Sequence, residues 1–296
     1  MEPETFLFGG QTMVAPLKTV VLKRPSEAFR SSETIENEWK DLGYLRPPYF
    51  ERSAQEHQQF VSVIEAIGAK VLYLREDYRT GLDSIYTHDP LLMTNAGAVI
   101  LQPGKEARRW EGPAFATDLE RWGIPVLGII DGEATAEGGD MLWLDSSTLL
   151  LGRGFRTNSA AVEQLTTLLK PCGVSVLAVE LPYWKGPREV LHLQSFISLL
   201  DEGLAVVYRR LLPVPLFETL NDRGFELVDV PDEEYDSLGC NVLALAPRKL
   251  VMVSGNPETR SRIEEVDCHV SEFDGSEICL PGSGGPTCLT LPLLRV

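Results

Sequence analysis

Hydrophobic and polar positions along this chain recur in one pattern from end to end. A short apolar strand, a polar turn, a helix with an apolar stripe and a second short strand follow one another five times. Units of this length cannot each bury an apolar face alone, which favours one assembly of all five. The paired strand segments are 19–24 with 69–73, 98–101 with 124–127, 148–151 with 174–177, 204–207 with 225–228, and 249–252 with 268–270.

A further apolar segment precedes the central strand of four units and predicts a β-hairpin there. Segment 17–22 has no strand before it and segment 288–294 has none after it, so the two are predicted to pair and remove exposed edges. The predicted fold is therefore α/β: a pseudo-fivefold α/β propeller of ββαβ units, closed by its terminal strands, in a single domain over residues 1–296. The predicted first hairpin strands are 89–94, 141–144, 196–200 and 241–245.

Helix signals fill the connections between strands. The longest predicted helix runs from about residue 54 to 67. Asn158 or Ser159 is predicted to cap the third-unit helix, because either side chain can accept a hydrogen bond from the first turn. Pro213 and Pro257 predict the starts of the fourth and fifth helices, since proline lacks the N–H that a helix start leaves unpaired anyway.

Composition and charge exclude several classes of protein. The formal net charge of −16 argues against a nucleic-acid partner, because phosphate binding needs clustered Lys and Arg. No run of 18 uncharged apolar residues occurs, so no membrane span is expected. Five cysteines without a Cys-x-x-Cys pair argue against a disulfide framework or structural zinc and favour a reducing cytoplasm. The acidic residues 1–4 lack the basic start of a secretory signal.

The units differ at one place, just before or at the first hairpin strand, where each carries its own polar cluster. Pseudo-symmetry predicts that all five clusters face one central cavity, the usual position of a ligand site. A thiol with an imidazole in reach forms a nucleophile with its acid/base. Carboxylates beside them would bind a flat cation such as a guanidinium through paired hydrogen bonds. The clusters are 87–89, 137–140, 192–194, 239–241 and 284–288.

Each of these residues also has a plain structural interpretation. Asp89 before a proline is typical of a turn, and Glu-Gly-Gly-Asp at 137–140 is typical of a tight turn. His192 between two leucines is typical of a core histidine, and Cys288 of a small buried residue. Their shared position in the repeat favours the functional interpretation over four independent coincidences.

Five ordered motifs resemble those of the guanidine-modifying superfamily, and the resemblance covers nearly the whole chain. That superfamily includes arginine deiminases, amidinotransferases and dimethylarginine dimethylaminohydrolases, all on a pseudo-fivefold α/β propeller. The length, the lack of insertions and Leu-His-Leu-Gln-Ser at 191–195 most resemble the last of these. The motifs are Tyr-x-x-Asp-Pro at 86–90, Glu-Gly-Gly-Asp at 137–140, Arg-Thr-Asn at 156–158, Leu-His-Leu at 191–193 and Gly-Gly-x-x-Cys at 284–288.

The resemblance implies a cysteine hydrolase without metal or cofactor, acting on a small cationic guanidino compound. Cys288 would attack the guanidinium carbon, and His192 would protonate the departing amine and then activate water. Glu137 would orient and charge the reacting group. Asp140 is assigned no role beyond a supporting hydrogen bond.

The resemblance also assigns residues to substrate binding. Asp89 would hold the guanidinium, Asp83 matches another substrate-binding acid, and Arg108 and Arg156 would hold the substrate α-carboxylate. The alternative for either arginine is a solvated residue at a helix start. His88 stands where dimethylarginine dimethylaminohydrolases often have Glu. Part of the binding of the substrate's amino-acid backbone is therefore not assigned to a residue.

Gln194 separates the members of the superfamily. Arginine deiminases and amidinotransferases carry an Asp at this position, and its carboxylate binds free N–H groups of the guanidinium. Methyl groups cannot donate hydrogen bonds to a carboxylate, so the neutral amide of Gln194 favours an Nω-methylated arginine. Citrulline and an alkylamine are the expected products. An arginine deiminase or dihydrolase, an amidinotransferase and a non-catalytic binding protein for arginine-like ligands remain alternatives. A homodimer is left open, and stretches 9–13 and 281–286 are candidate lids.

Overall fold

The computed structural model describes residues 6–187 and 189–296, so the acidic stretch 1–4 lies outside the described residues. Its β structure consists of five sheets of three strands each. The strands are β1 (Leu17–Leu22), β2 (Lys70–Tyr73), β3 (Leu91–Thr94), β4 (Gly97–Ile100), β5 (Val126–Ile129), β6 (Met141–Asp145), β7 (Thr148–Arg153), β8 (Ser175–Glu180), β9 (Ile197–Asp201), β10 (Leu204–Val207), β11 (Glu226–Asp229), β12 (Leu243–Ala246), β13 (Lys249–Val253), β14 (His269–Phe273) and β15 (Leu291–Arg295).

Every sheet follows one plan. Its central strand pairs antiparallel with a hairpin partner on one side and parallel with the following strand on the other. Parallel pairing needs a crossover, and helices supply it. The helices are α1 (Pro25–Ala28), α2 (Ser32–Glu38), α3 (Phe50–Ala66), α4 (Glu111–Arg121), α5 (Ser159–Leu169), α6 (Val214–Asp222) and α7 (Pro257–Glu265).

The first sheet joins the two ends of the chain. β1 pairs antiparallel with β15, with Val20 opposite Pro292, and parallel with β2. The predicted pairing of the terminal strands is therefore confirmed. Five such units in one α/β chain are consistent with a propeller-like arrangement.

Helix signals in the sequence are confirmed with small shifts. The Asn158 side chain caps α5 and accepts a hydrogen bond from the Ala161 N–H over 3.0 Å. α6 and α7 begin directly after Pro213 and at Pro257. α3 is the longest helix among the described residues and begins at Phe50, earlier than predicted.

β15 and β3 begin later than the predicted segments 288–294 and 89–94. Pro90 has no N–H to donate to a neighbouring strand. The Thr290 hydroxyl donates to the Pro286 carbonyl over 3.0 Å and holds the chain before β15 in a turn. The first residue of each predicted segment therefore lies in a turn ahead of its strand, free to face a cavity.

The core lies between the sheets and the helices that cover them. β3, β4 and β10 are buried along their whole length, which explains why their sequences are continuously apolar rather than alternating. Phe60 of α3 stacks on Phe273 of β14 with ring centroids 4.6 Å apart. Within 6–187 and 189–296, no helix has the length and apolar character needed to cross a membrane.

Candidate active site

A cavity of about 100 Å³ brings together side chains from all five units. Asp89, His192 and Cys288 come from the turns before first hairpin strands, as the repeat predicted, whereas Arg108 and Arg156 follow the central strands β4 and β7. Glu137 is fully buried at the edge of this cavity, in contact with a residue that lines it. The predicted site residues that line the cavity are Asp83, Asp89, Arg108, Arg156, His192, Gln194 and Cys288.

His192 and Glu137 form the central pair of the site. His192 Nε2 lies 2.7 Å from Glu137 Oε2, and both side chains are buried. Arg156 Nη1 donates to the same carboxylate over 3.1 Å. Burial opposes ionisation of Glu137, yet the His192 hydrogen bond and the Arg156 charge hold the pKa of this carboxyl below its usual range.

Three carboxylates set the charge of His192. Burial by itself lowers the pKa of His192, but Asp140, Asp89 and Glu137 outweigh burial and raise that pKa above its usual range. The imidazole is therefore cationic near neutral pH. Asp140 accepts hydrogen bonds from the Leu193 N–H over 3.0 Å and the Thr157 hydroxyl over 2.6 Å. These bonds fix it beside the His192 backbone, which gives Asp140 the supporting role that the sequence left undefined.

The two glycines of the Glu-Gly-Gly-Asp motif allow close approach. A Cβ on Gly139 would lie 2.4 Å from His192 Nδ1, and a Cβ on Gly138 would lie 2.2 Å from the His88 carbonyl oxygen. No larger residue fits either position without moving its neighbour. The motif is thus a packing surface for the imidazole as well as a turn.

Asp89 is held by two donors. The Gly139 N–H donates to Asp89 Oδ1 over 2.9 Å, and Arg108 Nη1 donates to Asp89 Oδ2. The Arg108 guanidinium also contacts Glu111, with Nη2 2.8 Å from its carboxylate, and the Tyr86 carbonyl at 3.0 Å. Arg108 is therefore engaged by protein acceptors along its edges.

Both predicted carboxylate-binding arginines are buried, 4% exposed for Arg108 and 8% for Arg156, which rules out the solvated helix-start interpretation. Asp83 is paired with Lys105, whose Nζ lies 2.5 Å from Asp83 Oδ2. The Lys105 backbone N–H in turn donates to Glu137 over 3.2 Å. Lys105 thus links the Asp83 wall of the cavity to the central pair.

Cys288 lies in the turn before β15. Asn241 Nδ2 donates to its sulfur over 3.4 Å, while Asn241 Oδ1 accepts from the Thr287 N–H over 3.0 Å. Burial and the negative charge of Asp89 raise the pKa of the Cys288 thiol to about 11. The sulfur is therefore a thiol at neutral pH unless a positive charge comes close to it.

His88 and Gln194 form the floor of the cavity. Gln194 Nε2 lies 2.9 Å from His88 Nε2 and donates to the Met141 carbonyl over 2.7 Å. His88 Nδ1 lies 3.1 Å from the Thr290 carbonyl oxygen. Burial lowers the pKa of His88, so this floor carries no charge.

The glycine-rich stretch 281–286 packs tightly against the cavity. Gly282, Ser283 and Gly284 line it, and a Cβ on Gly282 would lie 2.2 Å from the Tyr86 hydroxyl oxygen. Of the two lid candidates, this one borders the site. Stretch 9–13 does not line this cavity but contributes Gly10, Thr12 and Met13 to a second one.

One group of side chains has the spacing of metal ligands. Ligand atoms of Asp89, Glu137 and His192 lie within 4.8 Å of one another. Each already has a protein partner: Glu137 and His192 bond each other, and Asp89 is bonded by Arg108. All three side chains are therefore already engaged in hydrogen bonds within the protein.

A protein-family comparison places the chain. The family model described as N,N dimethylarginine dimethylhydrolase, eukaryotic, matches residues 31–295. The chain belongs to this family. It is 30% identical over 288 residues to the N(G),N(G)-dimethylarginine dimethylaminohydrolase of Streptomyces coelicolor, a match that covers 94% of the chain and 98% of the relative. The Pseudomonas aeruginosa enzyme of the same name is 25% identical over 248 residues, 84% of the chain and 91% of the relative.

Solved structures give the same fold. Dimethylarginine dimethylaminohydrolase from Pseudomonas aeruginosa, as a mutant in complex with citrulline, has a TM-score of 0.76 at 22% identity and covers 93% of this chain and 99% of its own. The N-terminal domain of ArgZ, an arginine dihydrolase from cyanobacteria, has a TM-score of 0.79 at 18% identity and covers 94% and 97%. This family member therefore shares its α/β fold with both structures.

Sequence reasoning about this dimethylarginine dimethylaminohydrolase family member left out three contributors to the site. Asn241 was noted as part of the polar cluster 239–241 but was not predicted to contact the Cys288 thiol. Lys105 gave no signal and Thr157 was noted only as part of the Arg-Thr-Asn motif, because each acts on a carboxylate that is distant in sequence. Only the position of Asn241, in phase with the other clusters, could have singled it out.

Proposed function

We propose that this chain hydrolyses Nω-methylated arginine to citrulline and an alkylamine through a covalent intermediate on Cys288. One observation carries the proposal: a thiol, an imidazolium paired with Glu137 and the carboxylate of Asp89 surround a single cavity. The membership in the dimethylarginine dimethylaminohydrolase family supports the choice of reaction.

The reaction divides into two displacements at one carbon. In the first, the Cys288 thiol gives its proton to solvent as the substrate binds, the sulfur forms a bond to the guanidinium carbon, and the bond to the methylated nitrogen breaks as His192 gives that nitrogen a proton. In the second, His192 takes a proton from water, whose oxygen bonds to the same carbon while the carbon–sulfur bond breaks. The added oxygen passes its remaining proton to the sulfur, so citrulline leaves with the thiol restored, and the proton taken from water restores the imidazolium.

The substrate itself supplies the charge that the thiol needs. Asp89 opposes ionisation of Cys288, and neutral donors such as Asn241 offset that effect only in part. A guanidinium bound against Asp89 offsets that carboxylate and places a positive carbon beside the sulfur. Ionisation of Cys288 is then coupled to substrate binding, which keeps the thiol unreactive in the free protein.

The neutral floor supports a methylated substrate. Where a carboxylate would demand free N–H groups, the His88–Gln194 pair presents an uncharged surface, and the two amide hydrogens of Gln194 are already directed at His88 Nε2 and the Met141 carbonyl. A methyl group loses no hydrogen bond against such a surface. The uncharged surface therefore favours dimethylarginine or monomethylarginine over arginine as the substrate.

We assign the two arginines different roles. Arg156 contacts Glu137 through Nη1 and lines the cavity, so its remaining donors are suited to the substrate α-carboxylate. Arg108 is engaged by Asp89, Glu111 and Tyr86, and we assign it to holding Asp89 rather than to the α-carboxylate expected from the sequence.

The remaining expectations belong to the same proposal. We take residues 1–296 as one catalytic domain whose five sheets close into a ring, which the β1–β15 pairing supports. A cytoplasmic location is supported by five cysteines that are all free thiols. A homodimer is the simplest oligomer compatible with a site built from one chain.

A product assay tests the proposal. The purified protein is incubated separately with arginine, monomethylarginine, asymmetric dimethylarginine and agmatine, and citrulline and released amines are measured. Citrulline with methylamine or dimethylamine is the expected outcome. Ammonia from arginine alone would identify a deiminase, a new guanidino compound an amidinotransferase, and saturable binding without turnover a ligand-binding protein.

A further inference from the structure

A second cavity adjoins the candidate active-site cavity on the other side of His88 and Gln194. Its volume is about 50 Å³, enough for more than one water molecule. It shares His88, Gln194 and Thr287 with the candidate active-site cavity, so these side chains form the wall between the two. Its other walls are largely apolar: Leu91, Leu92, Met93, Trp143, Leu243 and Leu291.

Arg295, near the end of β15, brings a positive charge into this apolar cavity. Its side chain is 3% exposed, and it donates through Nη1 to the Ala15 carbonyl over 2.7 Å and through Nη2 to the Ala244 carbonyl over 2.8 Å. Its Nε has no acceptor among residues 6–187 and 189–296. Neutral carbonyls thus accept from two of its five N–H donors, and the Nε donor has no acceptor.

No carboxylate within the described part of the chain pairs with Arg295. The buried Arg108 and Arg156 both have such partners, Asp89 and Glu137. Burial lowers the pKa of Arg295 to about 9, so the guanidinium still carries its charge at neutral pH. A buried charge without a counter-charge is strongly unfavourable, and proteins pair such groups or give them a ligand.

Thr12 offers a second hydrogen-bond donor in this cavity, and Gly10 packs closely against Arg295. Thr12 lines the cavity, and its hydroxyl oxygen accepts from the Val14 and Ala15 N–H groups, which leaves its hydrogen free to donate. Gly10 has φ near +125°, and a Cβ there would lie 2.8 Å from Arg295 Cβ. The stretch 9–13, which composition suggested as a lid, is therefore shaped around this arginine.

We propose that this cavity binds a small monovalent anion, a halide or a short carboxylate, on the guanidinium of Arg295. One positive charge matches one negative charge, and the cavity is too small for a nucleotide. The apolar walls suit a halide or the methyl end of acetate. The site is separate from the substrate cavity, so the proposal does not depend on the proposed function.

Thermal unfolding at constant ionic strength provides the first test, with sodium gluconate replaced stepwise by chloride, bromide, formate or acetate. The wild-type protein is expected to show a saturable rise in Tm, because a ligand that binds only the folded state stabilises it. Arg295→Met should lose this rise, and Arg121→Met, which removes an exposed arginine paired with Asp118, should keep it. The ranking of halides against carboxylates identifies the preferred anion.

An equal rise in Tm for Arg295→Met and the wild type would overturn the proposal. So would the absence of any anion-specific rise in the wild type. A second measurement needs no variant: crystals of the wild-type protein soaked in sodium bromide should show an anomalous scattering peak within hydrogen-bond distance of the Arg295 guanidinium. Crystals that bind bromide elsewhere but not at Arg295 would also contradict it.

Discussion

The Nε2 atoms of Gln194 and His88 lie 2.9 Å apart, and this contact sets the tautomer of His88, because the amide nitrogen of Gln194 can only donate. His88 Nδ1 faces the Thr290 carbonyl oxygen, which can only accept, so Nδ1 carries the proton and Nε2 accepts from the Gln194 amide. A neutral donor–acceptor pair therefore closes the substrate cavity at the position where arginine deiminases have a carboxylate.

A negative charge at that position should change the substrate preference. In Gln194→Asp, the new carboxylate is repelled by the Met141 and Gly138 carbonyls that now accept from Gln194, so it should turn toward the substrate and bind free N–H groups. We expect the ratio of kcat/KM for arginine over asymmetric dimethylarginine to rise by about 10-fold or more. Gln194→Asn, shorter but neutral, is the control and should leave the ratio near that of the wild type. An unchanged ratio in Gln194→Asp would count against a role of the floor in selectivity.

Replacement of the nucleophile should end turnover. Cys288→Ser is expected to lower kcat by at least about 10³-fold, because an alcohol has far less anionic character than a thiol. Cys172→Ser, at a partly exposed thiol outside the cavity, should keep wild-type rates. Near-normal turnover by Cys288→Ser would show that the nucleophile is another group.

The covalent intermediate should accumulate when its hydrolysis is blocked. His192→Ala removes both the acid that protonates the departing amine and the base that activates water but leaves the thiol, so the adduct should form slowly and then persist. Acid-quenched protein should carry the added mass of the substrate without its methylated amine. Intact-protein mass spectrometry detects it. Repeated absence of the adduct, with substrate still consumed, would argue against covalent catalysis.

The charge of Asp89 should set the reactivity of the free thiol. Burial and Asp89 raise the pKa of Cys288 to about 11, so removal of the carboxylate should lower that pKa and leave the Arg108 charge to lower it further. The rate of alkylation by iodoacetamide, measured against pH, should therefore have its midpoint at lower pH in Asp89→Asn than in the wild type. Asp83→Asn, which changes an acid on the same cavity wall, is the control. A midpoint that stays near the wild-type value in Asp89→Asn would contradict this assignment.

Asp140 should act on the chemistry through His192. Its carboxylate is among the charges that raise the pKa of His192, so Asp140→Asn should make the imidazole lose its proton at lower pH. A ¹⁵N NMR titration measures this directly, with the His192 signal assigned from His192→Ala. Asp145→Asn, an exposed acid on β6, should leave the titration unchanged. If His192 titrates alike in both variants, Asp140 has only a structural role.

The sequence by itself determined the repeated α/β architecture and the phase of its polar clusters. Continuous apolar segments such as β4 and β10 predict buried strands, because the run of apolar residues that marks such a strand lies within a few consecutive positions. The caps and prolines around α5, α6 and α7 act on the backbone within a few residues, so they too are visible in the sequence. The shared position of the polar clusters within each unit indicated that Cys288, His192 and Glu137 belong to one site.

The tertiary structure alone decided which groups touch. That Arg108 bonds Asp89, that Asn241 reaches the Cys288 sulfur and that His88 pairs with Gln194 depends on contacts between turns of different units. No local pattern encodes such distances, because each arises only when separate units pack around a common cavity. Charge follows the same rule: the pKa of a buried group is set by neighbours and burial that exist only in the folded chain.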